Sequence, residues 1–344
     1  MVPQTRPLLL GLLTPALSAS FATAFVAIVL GILIYGTHGD DPWGLPKKRT
    51  SYCEGMHVGT LRQPINSWSN LAYVFACGWA LGRAVQSFLK ENAEAKASAT
   101  LQQLLPAALL VLLGLSSLAL GIGSFFYHAS MNRLWQTVDV AAMYWTMNAS
   151  LAATAWRWIS FCDAEGAALR PWRRLVPMLV TVVIADILMY ALKWKMSATR
   201  WFSAQLGLVI VSELLHICRL RGSARCRSVK LATFALVLGI VGLLFRLLGV
   251  DFKKRGIGGH FCDPESAFQP HALWHVLTGL ALTFLYELQF GIVPLQAKLE
   301  SQHISDTNTV EVAMVGLLER GQLELHNVTR EDSERPAGRS LLGL

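Results

Sequence analysis

Apolar residues come in runs of about 20 along this chain, separated by short polar loops, and that spacing constrains the fold more than any other feature. A run of about 20 residues at ~1.5 Å each covers the ~30 Å hydrocarbon core of a bilayer. Inside lipid the backbone has to satisfy its own hydrogen bonds, so each run is read as a helix. Eight spans fit, at about 8–35, 67–88, 103–127, 134–156, 172–192, 201–218, 229–250 and 271–292. The expected fold is an all-α polytopic membrane helix bundle. Only 15% of the residues are charged, well below the ~25% of ordinary globular chains, which excludes a soluble enzyme. Six Cys in 344 residues are too few for a secreted disulfide scaffold. The net charge of +8 comes from Lys and Arg that border the spans. They read as membrane anchors and topology signals, and no nucleic-acid partner is expected.

The first segment opens like a signal peptide, with Arg6, an apolar stretch from Leu8, and small residues at Ala16, Ser18, Ala19 and Ser20. Phe21 to Tyr35 continues apolar, which favours an uncleaved signal anchor. From about Gln296 the composition turns polar, so the tail is expected to be disordered or to hold a weak amphipathic helix near Val310 to Leu325. Asn327-Val-Thr is a glycosylation sequon, usable only if the tail is luminal. Eight crossings put both termini on one side, here side A, with the loops near 90–102, 157–171 and 219–228. Side A carries slightly more Lys and Arg than side B, chiefly Arg219, Arg221, Arg225, Arg227 and Lys230, which assigns it and the tail to the cytosol.

Three polar clusters fall on side B. The loop 36–66 holds Tyr52-Cys53-Glu54 and runs into span two as Gln63-Pro64-Ile65-Asn66-Ser67-Trp68-Ser69-Asn70. Span three ends Gly121-Ile-Gly-Ser124-Phe-Phe-Tyr-His128, and span four opens Trp135-Gln136-Thr-Val-Asp139. Span eight opens Pro270-His271-Ala-Leu-Trp274-His275. Residues four apart share a helix face, so His271 pairs with His275 and Ser124 with His128. Chain direction puts His128 and His271 at the rim, Ser124 and His275 one turn deeper, and Asp139 about two turns in. Three imidazoles, a hydroxyl and a carboxylate therefore converge near one membrane face. Three neutral His with an open position form the usual catalytic zinc site.

Simpler roles compete for several of these residue types. A lone His at a helix end usually sits at the interface, and His38, His57, His216, His260, His303 and His326 are read that way. An intramembrane His pair also suits a proton relay or a packing pair. Asp186, Glu213 and Arg246 lie inside spans, where ionisable groups are costly without partners. They are expected to form an interhelical hydrogen-bond or ion-pair network.

Cys53-Glu54, Asn66-x-x-Ser69-Asn70, Gly121-x-Gly-Ser124-x-x-x-His128, Gln136-x-x-Asp139 and His271-x-x-Trp274-His275-x-x-x-Gly279 resemble the alkaline ceramidase family of seven-helix intramembrane hydrolases. The likeness runs from about 51 to 292, in the right order, and leaves the first span and the tail outside. It implies three parts: an N-terminal signal-anchor helix and loop over 1–50, a seven-helix domain over 51–292, and the polar tail over 293–344. It also implies zinc on His128, His271 and His275, with Ser124 and Asp139 beside the metal. The implied reaction cleaves the amide of ceramide to a sphingoid base and a fatty acid, so a ceramide-like membrane lipid is the expected partner. The family's calcium positions read Ser51, Glu54, Met56 and Gln63 here, and only Glu54 keeps a carboxylate. Calcium prefers six to eight oxygens, so a site on Glu54 needs Asp40 or Asp41 to fold in.

On this reading Asp139 is the general base and Ser124 donates a hydrogen bond to the oxyanion. Competing classes are a progestin- or adiponectin-type receptor, a glycosylphosphatidylinositol-lipid remodelling hydrolase, and a transporter with a His/Asp proton relay. Parity also puts Cys53 and Cys262 on side B outside the spans, as two free thiols or one disulfide. With the resemblance, a Cys53–Cys262 bond is expected, which makes side B luminal or extracellular. The expected location is the endoplasmic reticulum, Golgi or plasma membrane.

Overall fold

The computed structural model describes residues 6–36, 42–43, 52–94, 101–163, 172–192, 195, 198–255 and 262–290. Helices α1 (Arg6–Gly36), α2 (Pro64–Ser69), α3 (Leu71–Glu94), α4 (Leu101–Ser130), α5 (Arg133–Asp163), α6 (Trp172–Leu192), α7 (Ala198–Arg219), α8 (Gly222–Arg255) and α9 (Pro270–Phe290) follow in order, with no strand among the described residues. The eight long helices stand where the eight apolar runs predict them, and the protein is a polytopic membrane helix bundle. The tail beyond 290, with its expected amphipathic segment and sequon, lies outside the described residues, as do Asp40, Asp41, Ser51, His38 and His260.

Two differences from the apolar pattern have clear causes. Span two starts earlier, as the separate short helix α2, because Pro64 supplies a first helical residue that needs no N–H partner. Asn70 then marks the joint with α3, its Nδ2 donating to the Asn66 and Ser67 carbonyls. Helix α8 begins at Gly222, before the apolar run, since Arg225 and Arg227 can stay helical outside lipid. Hydropathy marks the lipid crossing, whereas the helix is bounded by its backbone hydrogen bonds.

Among the described residues, four segments are long and apolar enough to cross a membrane: Thr14–Gly36, Pro106–Ser130, Arg200–Arg219 and Gly222–Leu248. Helices α3, α5 and α9 are more polar and supply much of the interior. Their small residues Ala76, Ala80, Ala142, Ala149 and Ala153 are buried with Leu110, Leu113 and Tyr286, which allows close backbone approach where lipid gives no hydrophobic drive between helices. Carboxylates within the bundle tie neighbouring helices together. Glu287 of α9 accepts from Arg83 and Trp79 of α3, and Glu213 of α7 accepts from Thr154 and Arg157 of α5. Asp186 of α6 accepts from Asn148 of α5 at 2.6 Å. Helix α1 docks on α3, where a Cβ at Gly78 would stand 2.6 Å from Ala19 Cα. Its far end packs Leu30 and Ile34 against Phe125 and Ala129 of α4.

Candidate metal centre and active site

Helix α4 ends at its site with its last carbonyls unpaired by the helix itself, as every helix does. The loop before α2 supplies their partners. Gln63 N–H donates to the His128 carbonyl at 3.2 Å, Arg62 N–H to Ala129 at 3.1 Å, and the Arg62 guanidinium to Ser130 at 2.6 Å. The chain turns through Met131 at φ 50°, a left-handed conformation that ends α4 abruptly. Asn132 then caps α5, its Oδ1 accepting the Trp135 N–H at 3.0 Å. This short turn brings the first turns of α5 back beside the last turns of α4.

Glycines set the lateral distances. A Cβ on Gly123 would lie 3.3 Å from Asp139 N, so α5 passes close to α4 at the level of Ser124. A Cβ on Gly279 would lie 2.7 Å from the Ala72 backbone, so α9 and α3 touch through main chain. That approach brings His275 to the start of α3.

His128, His271 and His275 consequently meet. Their ring centroids are 5.0, 5.1 and 4.5 Å apart for the pairs 128–271, 128–275 and 271–275. One nitrogen from each lies within 4.8 Å of the others, a group that could hold a metal ion. All three are buried, at 1%, 6% and 3% exposure.

The orientation of two rings follows from their neighbours. Gln63 Nε2 donates to the Glu54 carbonyl at 3.0 Å, which fixes Oε1 as the atom facing His128 Nδ1 at 2.8 Å. Ser69 donates its hydroxyl proton to the Asn66 carbonyl at 2.8 Å, so its oxygen accepts from His275 Nδ1 at 2.8 Å. Both imidazoles are thereby set as Nδ1–H tautomers, leaving Nε2 as the ligand nitrogen. His271 Nδ1 is buried with no protein partner. Three neutral imidazoles, two of them oriented from behind, make a donor set that fits zinc.

Ser124 lies one turn below His128 on α4 and is 2% exposed. Asp139 is half-buried on α5 beside Gly123. Tyr52 covers the rim, its ring 4.3 Å from His271 and 5.0 Å from His128. Burial, and to a lesser degree the nearby Asp139 carboxylate, pushes the Tyr52 hydroxyl above its ordinary value, while its hydrogen bond with Tyr127 and the Arg246 charge pull it down.

Glu54 turns its carboxylate to the start of α2. Its two oxygens accept the Ile65 and Asn66 N–H groups at 2.7 and 2.8 Å and so cap α2. Burial pushes its pKa up and these two hydrogen bonds hold it down. Gln63 is turned to His128 and Met56 is exposed. Among the described calcium positions only Glu54 carries a carboxylate, and one carboxylate alone falls short of the six to eight oxygens calcium prefers. Cys53 and Cys262 form a disulfide with Cα atoms 5.3 Å apart, and Gly55 N–H donates to the Pro264 carbonyl beside it.

Residue spacing alone does not reveal Gln63, Ser69, Arg62 and Tyr52 as supports of the cluster, although Gln63 and Ser69 stand within runs it singles out. Arg246 also differs from expectation. It joins no ion pair among the described residues, and its guanidinium lies over the Trp274 ring at 5.4 Å. Glu213 and Asp186 do have protein partners.

Fold and site together define a polytopic helical protein with a buried three-histidine cluster near one end of its bundle. A family model described as Ceramidase matches residues 49–306, most of the chain. The chain belongs to the ceramidase family, which makes a ceramidase-type hydrolase its functional class. No curated protein matches it.

Proposed function

We propose that this protein is a zinc-dependent intramembrane amidohydrolase that cleaves the N-acyl amide of ceramide-like lipids. The observation that carries the reading is the buried cluster of His128, His271 and His275, with two rings held from behind by Gln63 and Ser69. When bound there, zinc supplies Lewis-acid chemistry, polarising a carbonyl and activating water. Asp139 is the general base. Its carboxylate takes a proton from the attacking water and returns it to the leaving nitrogen. The amide C–N bond breaks, the water's hydroxyl stays on the carbonyl carbon as a carboxylic acid, and the neutral amine leaves carrying the transferred proton. Ser124 donates a hydrogen bond to the oxygen on which negative charge develops. Tyr52 covers the rim and limits access of bulk water to the cluster. A site near one membrane face suits a substrate whose chains stay in lipid while its amide reaches the rim.

The Cys53–Cys262 bond supports placing this rim on the luminal or extracellular side and the tail in the cytosol, since disulfides persist in oxidising compartments. This mechanism invokes no calcium, and Glu54 contributes to it by capping α2.

The decisive measurement combines zinc content of the purified protein with fatty-acid release from matched amide and ester lipids. One zinc per chain and release from the amide are expected. Ester cleavage without amide cleavage would move the protein to the lipid-remodelling class, and a metal-free active protein would remove the mechanism.

A further inference from the structure

Arg246 is the only charged residue between Lys230 and Asp251. Its neighbours Leu243, Leu244 and Leu247 face outward. An arginine at that depth is costly unless something partners it. Arg246 stands four residues from Gly242, so the two share a face of α8. That face meets α9, since a Cβ on Gly242 would lie 3.5 Å from Trp274 Cε3. The guanidinium lies over the same indole, 5.4 Å from its centroid, and Trp274 sits between His271 and His275 in sequence. The Arg246 charge also acts on Tyr52, whose ring touches His271. A half-buried cation thus stands at the α8–α9 seam beside the three-histidine cluster, with no carboxylate paired to it among the described residues.

We propose that Arg246 binds the long-chain carboxylate that amide cleavage releases and holds it at the α8–α9 seam. The inference rests on the hydrolase reading above. Hydrolysis turns a neutral amide into a carboxylic acid and an amine, and the acid proton passes to the amine. The acyl product thereby gains a negative charge that the substrate lacked, so a cation here distinguishes product from substrate. Stacking on Trp274 holds the planar guanidinium in place, and its N–H fork matches two carboxylate oxygens.

The test is equilibrium binding of palmitate and of hexadecanol to the purified full-length protein in micelles, with zinc content and unfolding temperature measured on the same samples. Wild-type protein is expected to bind palmitate roughly 10- to 100-fold more tightly, the range of a charge-assisted hydrogen bond. Arg246→Gln loses that preference and Arg246→Lys keeps most of it. His275→Ala, lacking the metal, also keeps it, because the cation and not the metal makes the distinction. Equal binding of the two lipids by wild-type protein overturns the assignment. So does a preference retained in Arg246→Gln with unchanged zinc and unfolding temperature, or one lost in His275→Ala that still unfolds cooperatively. Binding is read without turnover, so a protein that prefers palmitate yet cleaves no ceramide would count against the hydrolase reading alone.

Discussion

His128 and His275 each turn one nitrogen to a side chain whose own hydrogen bonding admits a single orientation, which fixes both rings with their other nitrogen toward the cluster. His275→Ala is expected to abolish stoichiometric zinc, since an open three-His site loses affinity steeply when one ligand goes. Elemental analysis checks this. Gln63→Ala and Ser69→Ala act from behind and should weaken zinc binding by roughly 10- to 100-fold, measured by competition with a chelator of known affinity. Asp139→Asn keeps the size but cannot take up a proton at neutral pH, so turnover should vanish while zinc stays. Ser124→Ala should lower kcat by roughly 10² to 10³, the cost of one oxyanion donor. Near-normal turnover in Asp139→Asn with full metal would remove that residue as the base. The meeting of the three histidines was legible in sequence, because helix periodicity and parity bring their faces to one end of the bundle. Gln63, Ser69 and Arg62 were not legible as supports. Their roles depend on which carbonyl or ring each side chain meets across the bundle.

At the scale of the element, α9 is the organising helix. Its first turns carry two histidines, Gly279 brings it against α3, and Glu287 fixes its far end to Arg83. Gly279→Ala would press a methyl group onto the Ala72 backbone, which cannot move aside as a flexible side chain can. The expected cost is about 1–3 kcal/mol of stability. Zinc affinity should fall with it, because the Ser69–His275 hydrogen bond depends on the same approach. Thermal unfolding and zinc competition on one sample test both parts, and an unchanged zinc affinity would separate the helix contact from the site. The glycine stood out in sequence only as a member of a motif. Its physical reason appears once the facing backbone is known.

For the whole molecule, the disulfide joins the loop before α2 to the loop before α9 across a sequence separation of 209. Both loops lead directly into site residues, so the bond restrains the rim as well as the unfolded chain. Cys53→Ser paired with Cys262→Ser is expected to cost about 2–4 kcal/mol, read as a lower unfolding temperature in micelles. Non-reducing peptide mapping with thiols blocked beforehand should recover the two cysteines in one linked species. Their recovery as separately alkylated peptides would sink the bond and the orientation drawn from it.

The sequence by itself determined the eight long helices, because lipid allows only apolar, self-bonded segments to cross it. Which helices are neighbours, how closely they pass and which atom each polar side chain meets are lateral properties, and hydropathy carries no lateral information. Only the tertiary structure decided that Gln63 and Ser69 orient the histidines, that Glu54 caps α2, and that Arg246 lies over Trp274 without an ion-pair partner among the described residues. The close backbone approaches at Gly123 and Gly279 are of the same kind: the shape of two facing helices, not the composition of either, sets the distance.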